Sequence, residues 1–289
     1  MPSSSRQFPE AAWSRWFAGA RAAGRAEDML VLADEAPGSD LQLQAYRAAA
    51  HRLAQGGQHQ FAGEICDKVL ASAPGDPDCL ALQHEIAASP PPAPAHTFPR
   101  KIFLFSGHMV DKPDRKPPRF PAEKVPLAAQ AIAAQLDALG CSGADLAIAS
   151  GACGGDLLFA EAVQQRHCRL QIYLPFETDE FLARSVGFAG EMWEQRFAQA
   201  SGHPQTGMRI MPRELGPPPE GASAYERVNI WMLYAALSGG VERVHFICLW
   251  NRQGGDGRGG TRHLHDAVAD RGGKVHVLDT RQIFQLEES

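Results

Sequence analysis

The pattern that most constrains this chain begins at residue 101. Short apolar, β-rich runs recur at 101–106, 145–150, 169–174 and 243–249, with a weaker one at 274–278, and helical stretches separate them. Parallel strands cannot be joined by a tight turn, so strand–helix–strand alternation predicts a parallel sheet with helices on both faces. The intervening helices fall at 123–139, 156–165, 178–200, 223–237 and 261–271, and 208–211 offers a further short strand. The expected fold class is α/β, with a Rossmann-like parallel-sheet domain over residues 100–289.

The part before residue 100 reads differently. Ser89-Pro90-Pro91-Pro92-Ala93-Pro94-Ala95 forbids helix and favours an extended spacer, which predicts a linker over 90–99 and a separate helical domain over 1–89. Residues 13–36 and 41–53 are alanine-rich with apolar positions at helical spacing, broken at Pro37-Gly38. Tyr46, Ala50, Gly57, Ala62, Leu70 and Pro74 follow a spacing that resembles one tetratricopeptide (TPR) repeat. In that reading Gly57 permits the inter-helix turn, Ala62 a close helix crossing and Pro74 the stop, with 77–88 as a cap. The expectation is a small all-α, TPR-like domain that offers a surface to a protein partner. A lone repeat leans on a neighbouring helix, the second domain or another subunit, so a homo-oligomer is one expectation; a plain helical hairpin bundle is the alternative.

Bulk properties narrow the function classes. With 289 residues and 44% hydrophobic composition the chain can bury a real core, and a formal charge of −5 gives no global field for polyanions. Nucleic acid is therefore an unfavoured partner, and any anion must be bound locally. Residues 1–10 lack a cationic and apolar leader, and no apolar run reaches the ~18 residues of a membrane span, which predicts a cytosolic protein with no membrane partner. The six cysteines show no CxxC pair and are expected as reduced, packed thiols. Cys153 is the exception to watch, because it lies at a helix start, where a thiolate is stabilised.

In an open doubly wound sheet, ligands bind beyond the carboxyl ends of the strands. Ser106-Gly107-His108 follows the first run, and a loop with Lys112, Arg115, Lys116 and Arg119 comes next. Gly151-Ala152-Cys153-Gly154-Gly155-Asp156 follows the second run and opens directly into an apolar helix. Glycines there let backbone approach an oxyanion while a helix start points N–H groups at it, so phosphate is the natural occupant. Asp156 either caps the helix or accepts hydrogen bonds from ribose hydroxyls. A second glycine-rich loop ends in Gly259-Gly260-Thr261-Arg262 and opens another helix; the two loops form a shared anion site or are turn chemistry alone.

Neither loop is a Walker sequence or a GxGxxG fingerprint. The residues Ser106-Gly107-His108, Gly151 to Asp156 and Gly259-Gly260-Thr261 resemble the SLOG superfamily, the Rossmann-like group that includes the Lonely Guy phosphoribohydrolases and the DNA-processing protein A fold. The resemblance implies a nucleotide or nucleotide-derived ligand with the glycine loops on its phosphates; no cofactor is expected beside it. The phosphoribohydrolase branch looks like PGGxGTxxE. Here the corresponding stretch is Gly257-Arg258-Gly259-Gly260-Thr261-Arg262-His263-Leu264, which lacks both the proline and the glutamate.

Arg100 to Lys124 holds seven Lys or Arg against three acids, an excess of four positive charges in an acidic chain. This is either a lid over phosphates or a solvated loop stiffened by prolines. Arg115 and Arg119 are its best phosphate ligands, since guanidinium binds bidentately. His263 and His265 alone do not make a metal site. Two functions follow as expectations: a sensor that binds a nucleotide-derived signal and transmits occupancy through its helices, or a nucleotide N-glycosidase or phosphohydrolase whose catalytic residues are not fixed by the sequence; Glu161 is either a substitute acid or a solvated helix-surface glutamate.

Overall fold

The structure is a computed structural model, and it describes residues 10–88, 99–113, 115–218, 220–253 and 260–285. The expected linker, nearly all of it, lies outside these residues, as does Gly259. The chain divides into two compact units: Met1–Phe98 with Pro212–Ser223 and Leu237–Gly240, and Pro99–Met211 with Ala224–Ala236 and Val241–Ser289.

The first unit is helical: α1 (Glu10–Ala22), α2 (Ala26–Asp34), α3 (Ser39–Gln55), α4 (His59–Ser72) and α5 (Pro77–Ala88), with each helix packed on its neighbour in sequence. The expected continuous stretch 13–36 is two helices, because Gly24 turns the chain at φ +62, a left-handed conformation that ends a helix. Alanines 45, 49, 50 and 62 of α3 and α4 are fully buried, and their small side chains suit close packing of neighbouring helices. Tyr46 donates to Asp34 at 2.5 Å and Lys68 reaches both, and Asp76 accepts the Cys79 N–H at 3.0 Å at the start of α5.

The second unit is built on a six-stranded, all-parallel sheet in the order β4-β3-β2-β1-β5-β6, consistent with a Rossmann-like fold. The strands are β1 (Ile102–Gly107), β2 (Leu146–Ala149), β3 (Arg169–Leu174), β4 (Thr206–Ile210), β5 (Val244–Trp250) and β6 (Lys274–Asp279). Side chains alternate across a strand, so Phe103, Phe105, Ile172, Leu174, Ile247 and Leu249 share one core, while Tyr173 points the other way and meets Trp231 edge-on at 4.7 Å. That core lies under α6 (Val125–Ala138), α7 (Gly155–Gln165), α9 (Glu191–Gly202) and the terminal α12 (Thr280–Phe284). Helix α10 (Ala224–Leu237) carries Trp231, and α11 (Thr261–Ala269) packs on β5 and β6 through buried Leu264 and Val268.

One expected helix, 178–200, is interrupted: α8 (Thr178–Ser185) gives way to a short 3-10 turn at Gly187–Ala189 before α9. Strand order reverses between β1 and β5, the place where open sheets of this kind bind their ligands. No helix of the described residues is long and apolar enough to cross a membrane.

Candidate functional site

The carboxyl end of β1 is central. The His108 N–H donates to the Leu249 carbonyl at 3.1 Å, which extends the β1–β5 pairing, and the Asn251 N–H points at His108 Nε2 across 3.2 Å. The Asn251 Oδ1 also stands 3.2 Å from Nε2, so Asn251 holds the ring at the carboxyl end of β5 through its backbone or its side chain according to the tautomer. Burial, with the positive charge of Arg119 and Arg115, pushes the imidazole down to about 4 and holds it neutral at physiological pH.

Ser106 Oγ stands 3.4 Å from the Oγ1 of Thr261, the first residue of α11, so the carboxyl end of β1 meets a helix start. Gly260 precedes that helix in ordinary extended backbone, and Arg262 is exposed on its first turn. A helix start carries unsatisfied N–H groups and partial positive charge.

The basic loop after β1 is organised by Asp111, a residue whose role sequence reading missed. One of its carboxylate oxygens accepts the N–H groups of Arg119 and Phe120 at 2.7 and 2.9 Å, and the other meets Arg115 at 3.4 Å. Asp111 thereby brings both arginines towards His108. Arg119 is half-buried, and among the described residues its guanidinium makes no hydrogen bond or ion pair; burial and the nearby Arg115 lower its pKa from the usual arginine range. A cation held in this way gains from a bound anion. Lys112 of the same loop lies 5.1 Å over the Phe188 ring.

The glycine loop after β2 is built otherwise. Gly154, at φ +107, pairs with Met109, and a Cβ there would come within 2.7 to 3.0 Å of the Val110 nitrogen, the His108 oxygen and the Met109 carbonyl carbon. Gly107 and Gly155 press together so closely that a Cβ on either would stand 3.1 to 3.2 Å from the other's Cα. The loop's donors turn inward: the Cys153 N–H goes to the Ser185 carbonyl at 2.9 Å, that of Gly155 to the His108 carbonyl at 3.0 Å, and that of Ala152 to Asp156 at 3.3 Å. Gly151 is likewise buried, with the Phe197 ring directly behind it.

Asp156 therefore does not cap α7; its carboxyl accepts backbone N–H groups of Ala152 and Gly107. Its carboxyl, and not a ligand, takes up these donors of the glycine loop. Desolvation outweighs those two donors and raises its pKa to about 7. Cys153 also differs from its expectation: it is fully buried, and burial followed by the Asp156 charge pushes its thiol up to about 12, so no thiolate is stabilised there.

Glu161 lies on the second turn of α7 and pairs with Arg196 at 3.1 Å, facing α9. His265 pairs with Asp266 at 2.8 Å, and among the described residues no three His, Cys, Asp or Glu side chains group to hold a metal. Next to the β2 loop, Ser185 meets Tyr225 at 2.8 Å, and Tyr225 stands edge-on to Phe176 at 5.6 Å. No protein-family model and no curated protein sequence matches the chain.

Proposed function

We propose that the α/β unit binds a phosphate-bearing, nucleotide-derived small molecule at the carboxyl ends of β1 and β5 and holds it without turning it over. Its phosphate lies against Arg119, the start of α11 and the Ser106–Thr261 pair, while Phe176 and Tyr225 offer aromatic surface at the end of β3. The observation that carries this reading is Arg119: a half-buried guanidinium without a side-chain partner among the described residues, beside a second arginine and a neutral histidine. The likeness to the SLOG superfamily in the three glycine-bearing segments supports a nucleotide over a simple anion. The helical unit, with its TPR-like hairpin, acts as the protein-interaction module that reports occupancy.

A thermal-shift screen of the full chain against nucleoside mono- and diphosphates and ADP-ribose tests the reading. A ligand at 100 times its dissociation constant adds ~2.7 kcal/mol of stability. No shift with any of them would remove the nucleotide from the account.

Hydrolase activity is the second reading, and one observation favours it: Asp156 has its pKa raised to about 7, the range of a general acid. Against it, Asp156 is buried with its carboxyl committed to the backbone, and Glu161 is paired with Arg196. Incubating nucleoside monophosphates with the protein and following base release by chromatography separates the two. Recovery of intact nucleotide is expected, whereas steady multiple turnover would establish the hydrolase.

A further inference from the structure

We infer that His245 and His276 form a proton-operated clasp that holds the edge strand β6 and the helix α12 on the sheet, and that acid releases them. His245 is the second residue of β5 and His276 the third of β6. The strands run parallel with His245 opposite Lys274 and Ile247 opposite His276, so the two histidines are diagonal neighbours on one face. His245 Nδ1 stands 3.1 Å from His276 Nε2, and the ring planes are 6° apart with centroids at 5.3 Å.

The pair is enclosed. His245 is 5% exposed and rests on the Phe103 ring of β1 at 5.6 Å. His276 is half-buried, and the Gln135 amide of α6 approaches its Nδ1 at 3.5 Å. The charges acting on the pair are those of Lys274 on β6, Lys101 just before β1 and Asp145 just before β2. Lys101 donates to the Leu139 carbonyl, while Asp145 already accepts from Arg100 and from the Ser142 N–H, each at 2.9 Å. Two cations therefore act on the histidines, and the carboxylate near them is matched by an arginine.

Two neutral imidazoles share one N–H across this distance, whichever ring carries it. With both rings charged, each facing nitrogen carries hydrogen, no acceptor is left between them, and two positive charges stand together beside two lysines. The electrostatics agree with this geometry. Burial, then Lys274, His276 and Lys101, pushes His245 down to about 4 against the opposing charge of Asp145, and burial with Lys274 also lowers His276. A released strand returns both rings to the ordinary value of 6.5, so the clasp holds in full above that value and weakens as pH falls from it towards 4.

The position of β6 gives the clasp its consequence. It is the edge strand, held by β5, and it runs into α12, whose fully buried Phe284 stacks on Phe120 at 5.1 Å. The Phe120 N–H is one of the two that Asp111 accepts, next to that of Arg119. Loosening β6 and α12 thus removes a support of the loop that carries Arg119. The effect on a ligand rests on the function proposed above; the clasp itself does not. At the other end of β6, Asp279 meets Arg252 at 3.2 Å and Arg281 at 3.0 Å. Although burial opposes it, these arginines keep the Asp279 carboxyl below the ordinary carboxylate value, so that tie stays charged at pH 5.

The test is hydrogen exchange of the native full chain at pH 8 and pH 5, mapped by mass spectrometry and corrected for the intrinsic pH dependence of exchange. Residues 274–285 are expected to open at least ~10-fold more at pH 5, relative to β3 as internal reference. In the double variant His245→Leu/His276→Leu, which keeps the face apolar, this acid effect is expected to disappear. Unchanged protection of β6 relative to β3 at the two pH values, or an acid effect that survives undiminished in the double variant, would overturn the inference. The wild-type map decides the matter if the double variant does not fold.

Discussion

The segments that follow β2 and precede α11 carry the same signature, glycine between an apolar strand and a helix, yet the described residues give them different tasks. After β2 the chain is buried, its N–H groups go to Ser185, His108 and Asp156, and its glycines permit backbone to touch backbone. At the start of α11, Gly260 and Thr261 are half-exposed, and Thr261 stands beside Ser106. A glycine cluster thus signals close approach without saying what approaches. In the first segment it is the protein's own carboxylate and backbone, and in the second we propose it is a ligand.

Substitutions break this comparison with graded effects. Gly154→Ala should be the most damaging, since it places a Cβ within 3.0 Å of three backbone atoms at a φ that side chains rarely adopt. A loss of about 3 kcal/mol or more is expected in chemical denaturation. Stability within about 0.5 kcal/mol of the wild type would mean that the β2 loop is not packed inward.

Asp156→Asn comes next, and its effect depends on pH. The folded carboxyl titrates near 7 and the unfolded one near 3.8, so between these values the folded chain keeps a proton that the unfolded chain has released. Its contribution is full below the unfolded value and is lost as pH rises towards 7. The asparagine variant should therefore gain on the order of 3 kcal/mol relative to wild type between pH 4 and pH 8. A pH-independent difference would show that Asp156 is not held as a buried acid.

Arg119→Gln should leave the melting temperature nearly unchanged while weakening phosphate-ligand binding at least ~10-fold, the loss of a charge-assisted contact. Gly260→Ala should do least. Its backbone at φ −69 suits any residue, and the expected cost is at most about 1 kcal/mol.

Much of the fold was legible because β5 and its neighbours are continuous apolar runs separated by amphipathic stretches, a pattern set by local periodicity. The interruptions in 13–36 and 178–200 were not, because a single glycine inside a helical pattern is tolerated or not according to its tertiary setting. The end of β1 and the start of α11 could be named as a candidate site from strand polarity alone, and the structure brings Ser106 and Thr261 together there. What sequence could not show was the inward turn of the β2 loop. Burial of Asp156 and Cys153 arises from contacts with Gly107, His108 and Ser185, all remote in sequence. Asp111 was hidden for a similar reason: its role depends on the loop folding back eight and nine residues to deliver two N–H groups.

The most direct test of the account is calorimetric titration of ADP-ribose and nucleoside monophosphates into the full chain and into Arg119→Gln, Thr261→Val and Asp156→Asn. The account predicts binding to wild type, at least ~10-fold weaker affinity in the first two variants and nearly unchanged affinity in Asp156→Asn. Affinity lost in Asp156→Asn but kept in Arg119→Gln would place the ligand on the β2 loop and contradict it.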